Sequence, residues 1–208
     1  METILIADDQ EIVRSGVRMI IESFPEKYTI FEATTCAEVI QALFEGEINF
    51  TILDLFLADG NIFPAIHEFK QRKVSILVYS ASAEKIYARR LLKKGVRGFI
   101  SKQASIAELE KAIGCLLEGE IYLSRSMKKN LFIPGHADLL ENPIDLLSDR
   151  ELEVAEYVAM GMSTGEIAQR MRLDLATIGT YRRRMFTKLH VSNSIELRDK
   201  FLFYKMQG

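Results

Sequence analysis

Cysteine is nearly missing from this chain of 208 residues: only Cys36 and Cys115 occur, with no CxxC pair or Cys/His cluster. A disulfide framework and a zinc knuckle are therefore excluded, and two small interior thiols are expected instead. No apolar run approaches the ~18 residues that a membrane span needs. Met1-Glu2-Thr3 also lacks the basic lead of a signal peptide, so a cytoplasmic protein with no membrane partner is expected. HExxH, GxSxG, P-loop and Rossmann glycine fingerprints are absent, which leaves the commoner enzyme classes without a motif. His67, His136 and His190 stand alone and suit structural or solvent-facing positions.

What is present describes an ordinary globular chain. Hydrophobic residues make up 48% and charged residues 27%, which rules out collagen and general disorder. The length is about 1.4 times the ~150 residues of a typical domain, enough for one large domain or two small ones. The net charge of -2 is nearly neutral but unevenly spread. Residues 1–143 hold 17 basic and 20 acidic side chains, residues 144–169 hold 1 and 6, and residues 170–205 hold 9 and 3. That last block, with Arg182-Arg183-Arg184, suits either a nucleic-acid-facing element or a solvated helix face.

The first 120 residues alternate short β-branched runs with helical periods. Thr3–Ala7, Tyr28–Ala33, Phe50–Leu55, Ser75–Val78 and Gly98–Ile100 read as strands. Val13, Val17, Ile20, Ile21 and Phe24 fall on one helix face; so do Ile62, Ile66 and Phe69, and later Ile106, Leu109, Ile113 and Leu116. Pro64 is tolerable in a first helical turn. Five strand-helix units predict a doubly wound parallel sheet with right-handed crossovers, whose ligands bind at the carboxyl ends of the strands.

At those ends stand Asp8, Asp9, Asp54, Ser80 and Lys102. Carboxylates gathered in a small cleft repel one another unless a cation joins them, and an all-oxygen set beside one lysine suits Mg²⁺. Mg²⁺ readily shares a phosphate oxygen, Lys102 and the Ser80 hydroxyl can hold the rest of that group, and one carboxylate can act as nucleophile.

On these residues the chain resembles the receiver domain of two-component response regulators, over roughly residues 1–120. The match lies in Asp8-Asp9 after a strand, Asp54 in TILDL, Ser80-Ala81 after ILVY, and Phe99-Ile100-Ser101-Lys102. The resemblance implies that Asp54 accepts a phosphoryl group from a sensor histidine kinase. It further implies that Asp8, Asp9, Asp54 and the main-chain carbonyl of Phe56 bind Mg²⁺, and that Ser80 and Phe99 are switch residues. The family commonly has Met-Pro after the phosphoacceptor loop begins, whereas this chain reads Asp54-Leu55-Phe56-Leu57-Ala58-Asp59-Gly60, although Asp59-Gly60-Asn61 supplies turn chemistry.

From Ser124 to about Ile144 the periodicity stops, and Pro134-Gly135, Asn142 and Pro143 suggest a tether. Ser148 with Glu151 and Ser163 with Glu166 form capping boxes, Gly161 fits a left-handed C-terminal cap, and Asp174 can cap a helix to about Leu189. Two helices joined by a tight turn, the second bearing the arginines, form a helix-turn-helix. Thr180 and Arg183 are candidate base readers, with Thr177, Gly179, Tyr181, Arg182, Arg184 and Lys188 as further DNA contacts. Residues 146–206 resemble the LuxR-type helix-turn-helix of the NarL/FixJ response regulators, which often have Lys at position 179 and His at position 181. In that family the last helix also joins two domains, which implies a homodimer through Ile195, Leu197 and Phe201.

The expected organisation is an α/β receiver, a doubly wound five-stranded parallel (βα)5 domain at residues 1–122, then a linker at 123–144. An all-α, four-helix LuxR-type domain follows at 145–208. Together they imply a cytoplasmic transcription regulator that binds double-stranded promoter DNA under control of phosphorylation at Asp54, with only self-directed catalysis. Two alternatives stay open: a DNA-binding protein that ignores phosphorylation, and an aspartyl-nucleophile phosphatase. The latter chemistry expects an aspartate two positions after the nucleophile, where this chain has Phe56.

Overall fold

The computed structural model describes residues 2–82, 84–125, 127–128 and 143–206. The chain divides into two compact units, residues 1–125 and 126–208. Pro134, Gly135, His136 and Asn142 lie outside the described residues.

The first unit begins β1 (Thr3–Ala7), α1 (Glu11–Glu22), β2 (Thr29–Ala33), α2 (Cys36–Glu45) and β3 (Phe50–Leu53). A two-residue hairpin follows, β4 (Phe56–Leu57) against β5 (Gly60–Asn61), then α3 (Phe63–Gln71). β6 (Ser75–Ser80), α4 (Glu84–Lys94), β7 (Gly98–Ser101) and α5 (Ile106–Leu117) complete it. Five strands form one parallel sheet in the order β2-β1-β3-β6-β7. The order reverses between β1 and β3, so the residues after these two strands face the crevice where such sheets hold ligands.

Strand alternation sends Ile4 and Ile6 to one face, where they pack with Val17 and Ile21 of α1 and Leu109, Ile113 and Leu116 of α5. Ile106, expected in that stripe, is 74% exposed, because Ser105 caps α5 and leaves Ile106 in the open first turn. On α3, Ile66 and Phe69 are buried and Pro64 sits in the first turn. Gly98 permits a close approach: a Cβ there would lie 2.9 Å from Leu77 Cδ1 and 3.2 Å from both Leu116 Cδ1 and Tyr122 Cβ.

In the second unit a 3-10 turn, Pro143–Leu146, precedes α6 (Asp149–Ala159), α7 (Thr164–Met171), α8 (Leu175–Leu189) and α9 (Ser194–Met206). Pro143 and Ile144 were expected in the tether. They belong instead to this turn, which packs on α8 with Ile144 buried. Both capping boxes form, and Asp174 accepts from the Thr177 N–H. After α6, Gly161 takes φ +87 while Met162 N–H bonds the Tyr157 carbonyl, the closure that a left-handed residue allows.

Candidate functional site

Two polar sites emerge, one per unit. In the first, Asp8 follows β1, Asp54 follows β3, Ser80 ends β6 and Lys102 follows β7, so parallel register carries all four to one edge of the sheet. Lys102 Nζ donates to Asp8 Oδ2 and Asp54 Oδ2, each at 2.6 Å, and Ser80 Oγ donates to Asp54 Oδ1 at 2.6 Å. Asp8, Asp54 and Ser80 are buried. The main chain fixes the frame: Asp54 N–H bonds the Ala7 carbonyl, Lys102 N–H the Ser80 carbonyl, and Gln10 N–H the Asp8 carboxylate.

Burial pushes the Asp8 carboxyl above its ordinary range, and the Lys102 hydrogen bond offsets only part of that. Burial would also lower the Lys102 ammonium, but its bonds to Asp54 and Asp8 outweigh it and hold the group above its ordinary value. The cleft thus stores two buried carboxylates against one fixed cation.

Asp9 is exposed and stands outside the ion-paired group, so the three carboxylates are not gathered in advance. Among the described residues no three His, Cys, Asp or Glu side chains form a ready metal cage. Phe99 is fully buried, and Ser80 already touches Asp54. Phe56 donates its N–H toward Asp54 Oδ1 at 3.5 Å.

Where Met-Pro is absent, a nonlocal cap steadies the loop instead. Asp59, at the hairpin tip, accepts from the N–H groups of Cys36 at 2.6 Å and Ala37 at 3.2 Å, at the start of α2. Burial acts to raise the Asp59 carboxyl, but these bonds at a helix N-terminus hold it below its ordinary value. Only its short polar turn hinted at this role.

In the second unit α8 buries Ile178, Met185 and Leu189 and turns Gly179, Arg183 and Arg184 to solvent. Thr177, Thr180 and Tyr181 are half-buried. Thr180 Oγ1 donates to the Ala176 carbonyl at 3.0 Å and Thr177 Oγ1 to Asp174 at 2.9 Å. A Cβ on Gly179 would meet nothing within 4 Å, so the fold itself does not require glycine there.

Two other expected contacts are committed within the domain. Lys188 Nζ bonds Glu151 Oε2 at 2.6 Å, and Glu151 is 3% exposed. Arg182 donates to Thr164 Oγ1 at 3.2 Å and Ser194 Oγ at 2.8 Å, linking the starts of α7 and α9. Leu197 and Phe201, expected at a dimer surface, are buried within the described structure, whereas Ile195 is 67% exposed. Apolar residues on several sides of α9 concealed which side closes the domain.

A parallel sheet with this cleft and a separate helix-turn-helix define a receiver coupled to a DNA-binding domain. Comparison with known proteins agrees: residues 4–114 match the family described as response regulator receiver domain, and residues 145–201 match the luxR family of bacterial regulatory proteins. The chain belongs to the response regulators, in the NarL/FixJ class that joins these two domains. It is 24% identical over 200 residues to "Response regulator UvrY" of Escherichia coli (strain K12), covering 95% of this chain and 92% of that protein. It is 27% identical over 196 residues to "Transcriptional regulatory protein DesR" of Bacillus subtilis (strain 168), covering 94% of each. Among solved structures it resembles RcsB from Salmonella enterica serovar Typhimurium bound to promoter P1flhDC in the presence of phosphomimetic BeF3-. That similarity has a TM-score of 0.72 and 25% identity, covering 96% of this chain and 98% of RcsB. Among the described residues no helix is long and apolar enough to cross a membrane.

Proposed function

We propose that this DNA-binding response regulator accepts a phosphoryl group on Asp54 from a sensor histidine kinase, and that the modification controls dimerisation and promoter binding in the cytoplasm. The observation that carries this reading is the Asp54 carboxylate held between Ser80 Oγ and Lys102 Nζ, each at 2.6 Å. An Asp54 carboxylate oxygen attacks the phosphorus of a phosphohistidine, the P–N bond breaks, and the imidazole leaves as the acyl phosphate forms. Ser80 and Lys102 then donate to phosphoryl oxygens instead of the bare carboxylate.

The donor set fits Mg²⁺: buried Asp8 and Asp54 are hard oxygen ligands that already share one cation's charge, with Asp9 and the Phe56 carbonyl beside them in sequence. Bound there, Mg²⁺ supplies positive charge that screens the carboxylates from the incoming phosphoryl oxygens. Asp8 would hold it once Lys102 turns toward the phosphoryl group.

Phosphorylation adds about -1.5 to -2 charges, which redistributes the Lys102 and Ser80 contacts and biases the β6–β7 surface around Phe99. Moving a population from 1:99 to 99:1 takes about 5.5 kcal/mol of differential stabilisation. In the second unit, Arg183 and Thr180 read bases while Thr177, Gly179, Tyr181 and Arg184 line the duplex. The related RcsB captured on a promoter with a phosphomimetic supports the link between the two events. Catalysis is confined to the protein's own phosphoryl group.

Incubation with acetyl phosphate and Mg²⁺, followed by mass mapping, tests this. Label on Asp54, abolished by Asp54→Asn, is expected; label elsewhere, or none with the folded protein, overturns it.

A further inference from the structure

Residues 70–97 carry nine lysines and arginines against one acidic residue, Glu84, within a unit that is otherwise acidic. The structure gathers part of this charge at one place. Lys70 lies in the last turn of α3 and Lys93 and Lys94 in the last turn of α4, while Arg72 and Lys73 follow α3. The two helix ends touch: a Cβ on Gly95 would lie 3.2 Å from Lys70 Cδ, so the Lys70 stem rests against that glycine. Arg72 is pinned over the Phe44 ring at 4.7 Å. Lys70, Arg72, Lys73 and Lys93 are exposed, and no described carboxylate forms an ion pair with any of the four.

Lys73 sits at φ +59, where Val74 N–H bonds the Phe69 carbonyl to close α3. Glycine is the ordinary occupant of that left-handed position, and a lysine there is strained. A cation is thus kept where it costs stability, among like charges that repel one another. Helix C-termini attract cations, which accounts for Lys70, Lys93 and Lys94 but not for Lys73.

We propose that this pole, beneath the N-terminal ends of β6 and β7 and opposite the Asp54 cleft, is a second contact surface for duplex phosphates. It rests on the reading of this chain as a DNA binder. Whenever the helix-turn-helix is engaged, the covalently tied receiver meets phosphates at high local concentration, and an exposed cation cluster gains by releasing their counterions.

The test uses the full chain and a long random-sequence duplex, with affinity measured against salt concentration. The triple variant K70S/K73G/K93S should lower the slope of log K against log salt by about 2–3, and K73G alone by about one. K73G should also raise the melting temperature, which keeps the test open if the triple variant does not fold. Slopes equal to the parent's in both variants overturn the proposal. A parent chain that binds no duplex overturns the DNA reading, and this surface with it.

Discussion

Replacing Lys188 by methionine separates a structural role from a DNA-binding one. Its ammonium lies 2.6 Å from Glu151 Oε2, whose side chain is 4% exposed, while the Lys188 side chain is 40% exposed. Removing one partner of a fully buried pair costs about 3–5 kcal/mol, because the other charge is left in a poor solvent. Here the outer partner is part-solvated and Glu151 keeps the Ser148 N–H at 2.8 Å, which scales the loss to about 1.5–3 kcal/mol. In urea melts followed on the C-terminal unit, Lys188→Met should lower the unfolding free energy by that amount, seen as a lower midpoint with the slope unchanged. Glu151→Gln combined with Lys188→Met should recover at least about 1 kcal/mol, because no charge is then left unpaired. The salt dependence of duplex binding should be the parent's. A variant as stable as the parent, with a salt slope smaller by about one, would refute this account and return Lys188 to the phosphate backbone.

Three further outcomes follow from the same contacts. Gly98→Ala drives a methyl into Leu77 and Leu116 and should cost about 1–3 kcal/mol in thermal or urea unfolding; a cost near zero would mean the β7–α5 packing yields freely. Arg183→Ala should relax base preference at one operator position by about 1–3 kcal/mol in competition binding, whereas equal losses on specific and random duplex would reassign it to phosphate. Burial acts to raise the Glu151 carboxyl, but the bonds from Lys188 and Ser148 hold it below its ordinary value. A depressed carboxyl contributes stability above its unfolded pKa and loses it as pH falls through the lower folded value. Stability of the second unit should therefore fall below about pH 4.5, and this acid-side slope should shrink in Lys188→Met.

Local signals were legible in the sequence wherever one element could speak for itself. The β-branched runs became strands, the first with its expected bounds and the others differing at one end by one or two residues, and Ser148, Ser163 and Asp174 cap helices because each bonds a main-chain N–H three residues ahead. Asp8, Asp54, Ser80 and Lys102 could be brought together on paper because parallel strands deliver their carboxyl ends to one edge. Contacts between distant residues stayed hidden. Asp59 caps α2 across 22 and 23 positions, and Lys188 reaches Glu151 across 37. No periodicity encodes either pairing. The sequence shows that α9 is apolar on several sides but not which side is interior, so Leu197 and Phe201, expected at a dimer surface, lie inside. The cation cluster around Lys73 is hidden in the net charge of residues 1–143, where 20 acidic side chains outnumber 17 basic ones.

The most direct measurement is duplex affinity for the parent and for Asp54→Asn, each with and without acetyl phosphate and Mg²⁺. A parent that tightens on phosphodonor while Asp54→Asn stays constant is the predicted result. Equal affinity in all four conditions, with the phosphodonor-treated parent verified as labelled on Asp54, would contradict it, because the anion in the cleft would then have no hold on the arginine-bearing helix.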